Sequence, residues 1–336
     1  MTAVATSVET PVAAGGGARA LSRGAALARY AGRRLLSFVV SLWVLATAAF
    51  LLIRLIPGDP VRTALGEHAS PEAIAAGRAE LGLDLPLWKQ YGRFIVELFR
   101  GDLGQSSTLR LPVLDVIVQR APMTLLLTCT SIVVVFAVAL AIGFLVAALT
   151  EGGQRPRVEI VFAAITGFIH SIPEFVLGVV LVFAFAVSMK LLPVAGAASP
   201  ASLILPIAAL CIGGIAGLSR VVRVETLRVL DQDYMKTARA KRLWTPVIYL
   251  RHALPNVLTA ALSIAGLQFS GMLSGTVVIE NVFALPGLGT AIVNSILMND
   301  YRLIQGLVLT LGAIVLTVNL AVDLVIARFN PEARLS

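Results

Sequence analysis

Long uncharged apolar stretches alternate along the chain with shorter polar ones. Six of them run from Leu35 to Ile53, Met123 to Leu149, Ile160 to Met189, Leu203 to Leu218, Asn256 to Ile279 and Leu303 to Ala327. A helix needs about 20 apolar residues to cross the roughly 30 Å hydrocarbon layer, so each stretch predicts a crossing. The expected fold is an all-α membrane protein of six transmembrane helices. The third stretch would extend about 45 Å at helical rise, more than the bilayer requires. Pro173 is its natural break, with His170 and Glu174 four residues apart on either side. An ionisable pair inside a membrane marks a functional site by default. The simpler expectation here is that the two side chains satisfy each other and the backbone freed by Pro173. Glycines spaced four apart, Gly213 with Gly217 and Gly271 with Gly275, predict close helix packing inside the bundle.

The segment between the first two crossings, residues 57–122, predicts a small cap outside the membrane. Pro57-Gly58-Asp59-Pro60 ends the first helix, and Ser70-Pro71-Glu72 starts a short one that Gly82 stops. Between Pro86 and Arg100, Leu87, Tyr91, Phe94, Ile95 and Leu98 recur at helical spacing and predict a second short helix. Residues 1–28, rich in Ala, Gly, Thr and Val, predict a flexible cytoplasmic arm preceding a transmembrane domain over 29–336.

Composition supports a lipid environment: 57% of residues are apolar and 14% charged, well below the roughly one quarter usual in soluble chains. The net charge of +8 comes from clusters at helix ends and in loops, not from a soluble basic face, so no nucleic-acid partner is expected. Arg19, Arg23, Arg29, Arg33 and Arg34 precede the first crossing and place the N-terminus in the cytoplasm. Alternating crossings then bring Arg155 and Arg157, the segment from Arg220 to Arg251, and Arg328 with Arg334 to the same side. Both termini are therefore expected inside. Ala46-Thr47-Ala48 fits a signal-peptide cleavage site, but the apolar run continues to Ile53, which favours an uncleaved first helix.

Catalytic equipment is absent from the pattern. The chain contains no phosphate-binding loop, no HExxH pair and no GxSxG turn, and its histidines are only His68, His170 and His252. No catalytic, cofactor or metal site is expected. Cys129 and Cys211 both fall inside apolar runs and read as packing residues.

The segment 220–255 is the informative one. It is strongly basic, with Arg220, Arg223, Arg228, Lys236, Arg239, Lys241, Arg242 and Arg251 against Glu225, Asp231 and Asp233. Asp231 or Asp233 can cap a helix running to about Lys241, and Thr245-Pro246 can start another reaching Leu254. Two short helices across the membrane face would form a rigid knob for a partner's groove. A solvated basic loop held near anionic lipid is the alternative.

This segment resembles the coupling loop of ABC-transporter permeases, written EAA, three residues, Gly, nine residues, Ile, any residue, Leu-Pro. The frame here is Lys236-Thr237-Ala238, Arg242, His252 and Leu254-Pro255, with Lys236 in place of the acid, Arg242 of the glycine and His252 of the isoleucine. The run Asp233-Tyr234-Met235-Lys236-Thr237-Ala238-Arg239-Ala240-Lys241 is similar to the dipeptide, oligopeptide and nickel importer branch. So are Leu81-Gly82-Leu83-Asp84, Gly101-Asp102-Leu103-Gly104, Ser171-Ile172-Pro173, and Glu280-Asn281-Val282-Phe283 leading to Pro286-Gly287-Leu288-Gly289. The resemblance implies a type I importer permease in the inner membrane that moves peptides by alternating access. It implies a second homologous permease, two cytoplasmic ATPase subunits and an extracytoplasmic solute-binding protein as partners. Nickel or another small solute is the alternative cargo, and a secondary carrier the more distant alternative.

Overall fold

A computed structural model of the chain describes residues 16–55, 61, 70–80, 84–241, 244 and 247–329. These residues form helices and turns, with one isolated bridge between Gln105 and Pro112. Helix α1 runs Gly16–Leu55. It begins inside the arm expected over residues 1–28, because Ala, Leu and Arg dominate from Ala18 onward and no proline interrupts them. The rest of that arm lies outside the described residues, as do Pro57-Gly58-Asp59-Pro60 and Leu81-Gly82-Leu83.

The two short helices expected between the first two crossings form, α2 over Pro71–Glu80 and α3 over Leu87–Phe99. Ser70 Oγ accepts the Ala73 N–H at 3.2 Å, capping α2. The apolar face of α3 lies on α1: Tyr91, Ile95 and Leu98 pack around Phe94, Ala46, Ala49 and Phe50. Thr47 and Tyr91 share a hydroxyl hydrogen bond of 2.8 Å across that contact.

Helix α4, Val113–Thr150, starts well before Met123 and passes through Pro122, so the segment between the first two crossings ends near Pro112. The third crossing is broken at the proline: α5, Pro156–Ser171, and α6, Glu174–Leu181, meet at 93°. Pro173 clashes with a helical residue before it, and Ile172 accordingly takes extended dihedrals, φ −84° and ψ 124°. A π-helical segment, Val182–Ser188, continues α6. Helix α7 is Ile204–Leu230, α8 is Asp233–Ala240 and α9 is Leu254–Val282. A short apolar helix α10, Leu288–Leu297, precedes α11, Tyr301–Phe329. Among the described residues five helices are long and apolar enough to cross a membrane, and counting the bent α5–α6 pair as one span brings the number to six.

The main core joins α4, α7 and α9 through Leu127, Val135, Leu210, Leu218, Val257 and Ile279. Close approach of α4 and α7 depends on Gly143, where a Cβ would press on the Val222 side chain and stand 2.9 Å from the Ser219 carbonyl. Buried threonines bond their own helix: Thr128, Thr150, Thr226 and Thr276 each donate to the carbonyl four residues back, at 2.6 to 2.8 Å. A hydroxyl can therefore sit in the bundle without an empty donor. Of the cysteines, Cys211 is buried in the core, whereas Cys129 faces outward from α4 and does not pack inside.

Candidate functional site

The segment between α7 and α9 is shorter than the sequence pattern suggests. Arg220–Leu230 is the end of α7, so the connection begins only at Asp231. Asp233 opens α8, where its negative charge suits the helix dipole, and its carboxylate takes the Lys236 ammonium at 3.0 Å. This hydrogen bond holds the Lys236 ammonium above the ordinary lysine range. Arg242 and Thr245-Pro246 lie outside the described residues. Past them, the described residues are helical from Val247 and run on through α9 without a break at Leu254. Pro255 is the reason for the irregular entry. It has no N–H to give the Arg251 carbonyl, and the backbone widens to a π-helical segment, Ile248–Ala253, in which the Leu254 N–H reaches Tyr249 O.

Helix α8 has two faces. Met235 packs into Leu230, Ile248 and Ala253, and Ala238, one turn on, is buried on the same side. Asp233, Tyr234, Lys236, Thr237, Ala240 and Lys241 are exposed, and His252 and Leu254 are half-buried. Arg239 is helical and Pro255 exposed. Ala238 therefore points into its own chain, not outward as the motif frame suggests.

Polar contacts fasten this segment to the bundle. Asn256 Nδ2 donates to the Tyr234 hydroxyl at 2.9 Å, and the Tyr249 hydroxyl donates to Glu151 Oε2 at 2.9 Å. The Tyr249 ring meets Phe144 edge-on at 6.4 Å. Nearby, Arg223 binds Glu159 at 2.8 Å and donates to the Thr150 hydroxyl at 3.2 Å. Tyr249, Glu151, Arg223 and Glu159 stand in three separate segments, and no spacing in the sequence joins them.

Some carboxylates lie at membrane depth. Glu280, fully buried at the end of α9, accepts the Thr124 hydroxyl at 2.5 Å and the N–H groups of Gly289 and Thr290 at 2.7 and 3.2 Å. Thr124 in turn accepts the Leu288 N–H at 2.8 Å. One acid thus ties the start of α10 to α4 and α9. A Cβ at Gly287 or Gly289 would overlap the Glu280 carboxylate, which explains the glycines of Pro286-Gly287-Leu288-Gly289. Asp300 acts likewise for α11, accepting the Leu303 N–H at 3.1 Å, the Ser106 hydroxyl at 2.5 Å and the Thr108 N–H at 3.0 Å.

Glu174 is different. His170 does not pair with it: the imidazole Nδ1 lies 3.3 Å from Gly213 O, and Glu174 Oε2 is buried without a hydrogen-bond partner. The spaced glycines serve these side chains, not bare helix contact. A Cβ at Gly217 would stand 3.1 Å from the His170 ring, and one at Gly275 would overlap the Glu174 carboxylate. Gly213 and Gly271 have open space instead.

The chain matches the binding-protein-dependent transport system inner membrane component over residues 139–335, and the N-terminal part of such a component over 27–128. It is 38% identical over 307 residues to the glutathione transport system permease protein GsiC of Escherichia coli, covering 91% of this chain and 98% of that one. The protein of the same name from Salmonella paratyphi A is 38% identical over 305 residues. Among solved structures, an inward-facing form of the MetNI methionine ABC transporter aligns over 65% of this chain and 97% of its own, with TM-score 0.57 and 20% identity, a likeness of fold. With both parts of the sequence matched, the chain belongs to the family of binding-protein-dependent transport system inner membrane components, multi-pass permease subunits that are not themselves catalytic.

Proposed function

We propose that the chain is one of two homologous permeases in a peptide importer, paired with two cytoplasmic ATPase subunits and served by an extracytoplasmic solute-binding protein. The observation that carries this reading is α8: its inner face is packed on the bundle and its exposed face, with Tyr234, Lys236, Thr237, Ala240 and Lys241, is free to enter a groove on an ATPase. ATP-driven closure of the ATPases would push α8, and the bracing contacts at Asn256 and Glu151 would pass that push to α9 and the α4–α5 elbow. Alternating access then needs two packings of the bundle separated by only a few kcal/mol. Peptide as the cargo rests on the glutathione named in the curated relatives.

Reconstituted alone, the chain is expected to hydrolyse no ATP and to accumulate no peptide. Vesicles holding the complete assembly should accumulate labelled glutathione or trialanine when ATP and the binding protein are supplied. Uptake by the single chain would sink the importer reading.

The proposed orientation places both termini and residues 231–253 in the cytoplasm and residues 57–112 outside. Cysteines introduced singly at Gln232 and Ser107, both exposed, test it in a background lacking Cys129 and Cys211. An impermeant thiol reagent added outside intact cells should label Ser107→Cys and leave Gln232→Cys untouched. Ser106 cannot serve as the outer reporter, because it is buried against Asp300. The reverse labelling pattern would invert the topology.

A further inference from the structure

Among the described residues, buried side-chain oxygens without a hydrogen-bond partner occur at Ser131, Glu174 and Gln268. All three residues flank one turn of α7. Ser131 O accepts the Cys211 thiol at 3.5 Å, and Gln268 Nε2 donates to Gly214 O at 3.3 Å. Glu174 stands level with the same turn, within electrostatic reach of Cys211, and Gly178 one turn farther along α6 abuts Ala209 of α7 and Ile279 of α9. Unpaired acceptors out of water are costly, and in native proteins they mark the place of a missing donor. The wall around Glu174 is cut back to admit it, since any side chain at Gly275 would overlap its carboxylate.

The notch has an open side. Ser171 of α5 and Gly271 and Ser274 of α9 are exposed beside it, the α9 pair on a face shared with the exposed Leu267 and Val278. Hydroxyls and bare backbone at membrane depth belong where they line a watered cavity. The break at Pro173 is what turns Glu174 into this position, at the first residue of α6.

We propose that this notch is a cation-binding subsite on the translocation pathway, in which Glu174 receives the primary ammonium group of a passing solute. Gln268, seven residues before Gly275, offers the next neutral acceptor about 10 Å along α9. An acid followed by an amide lets a cation enter and leave, because neither site is closed on all sides. The proposal rests on the importer reading for its solute, but the negative charge and the water access can be tested without one.

The reporter is Gly271→Cys, on the same face of α9 one turn from Gly275 and in open space. It is placed in the assembled importer, in a background lacking Cys129 and Cys211. Labelling rates are measured with a trimethylammonium and a sulfonate methanethiosulfonate, each normalised to its rate on a free thiol. A carboxylate about one turn away should favour the cationic reagent by about tenfold. Glu174→Gln should return the ratio to near one, and Glu174→Asp should keep most of it. No labelling by either reagent, or a ratio indifferent to Glu174→Gln, overturns the subsite. Trialanine uptake should fall with Glu174→Gln and largely recover with Glu174→Asp. Undiminished uptake removes the solute's ammonium from the proposal. A wild-type assembly that labels as expected but takes up no peptide defeats the peptide reading alone.

Discussion

Glu280→Ala is expected to lower the thermal midpoint of the purified chain by roughly 10 °C, the largest effect of any single change outside the hydrophobic core. The substitution removes the acceptor of the Thr124 hydroxyl and of two backbone N–H groups, all buried. Each stranded donor costs about 1 to 3 kcal/mol, and a kilocalorie shifts the midpoint of a chain of a few hundred residues by roughly 2 to 4 °C. Glu280→Gln keeps one acceptor oxygen for the Gly289 and Thr290 amides and should lose much less. Thermal scans in detergent with a thiol-reactive dye separate the two variants. An unshifted midpoint for Glu280→Ala would mean that α10 is held by its apolar contacts and the carboxylate is incidental.

Ala238→Glu should abolish solute-stimulated ATPase activity and prevent the ATPase subunits from co-purifying. The cause lies within the chain and not in a clash with the partner. Ala238 is buried on the side of α8 that packs near Ile248 and Ala253, and a carboxylate forced there must either stay uncompensated or drive the helix off the bundle. An unpaired buried charge is among the few changes that cost several kcal/mol. Lys236→Ala, on the exposed face, loses only the pairing with Asp233 and should keep the fold, so any effect on co-purification there reports docking itself. Hydrogen exchange over residues 231–241 distinguishes the two. An Ala238→Glu chain whose α8 remains protected and bound to ATPase would refute the buried placement.

The crossings were legible because about twenty apolar residues in a row have few other uses. The break at Pro173 was equally legible, since a ring without an N–H acts on its neighbours wherever it stands. Side-chain partnerships across helices were not. Glu280 meets Thr124 over a separation of 156 residues, and Asp300 meets Ser106 over 194, which no local spacing encodes. His170 and Glu174 show the converse, for a separation of four residues suggested a pair on one helix face. The bend between them ended that face and sent each side chain to a different glycine. Helix α10 escaped notice because ten residues are too few for a crossing, and its anchoring acid belongs to the preceding helix. The motif frame marks the segment around α8 but not which of its faces is buried. Met235 and Ala238 share the buried side, one turn apart, and the order of residues in the frame does not mark it.

The widened backbone at Ile248–Ala253 lets helix pass Pro255 without stopping, so one rod of 35 residues extends from Ile248 to Val282. At helical rise such a rod is about 50 Å long, enough to join the two faces of a bilayer. Its near end leans on Met235 of α8, and its far end carries Glu280. A tilt of about 5° imposed at the near end would sweep the far end through about 4 Å, more than a hydrogen bond can stretch. The acid that holds α10 is therefore mounted on the tip of a lever whose handle is the segment that carries α8.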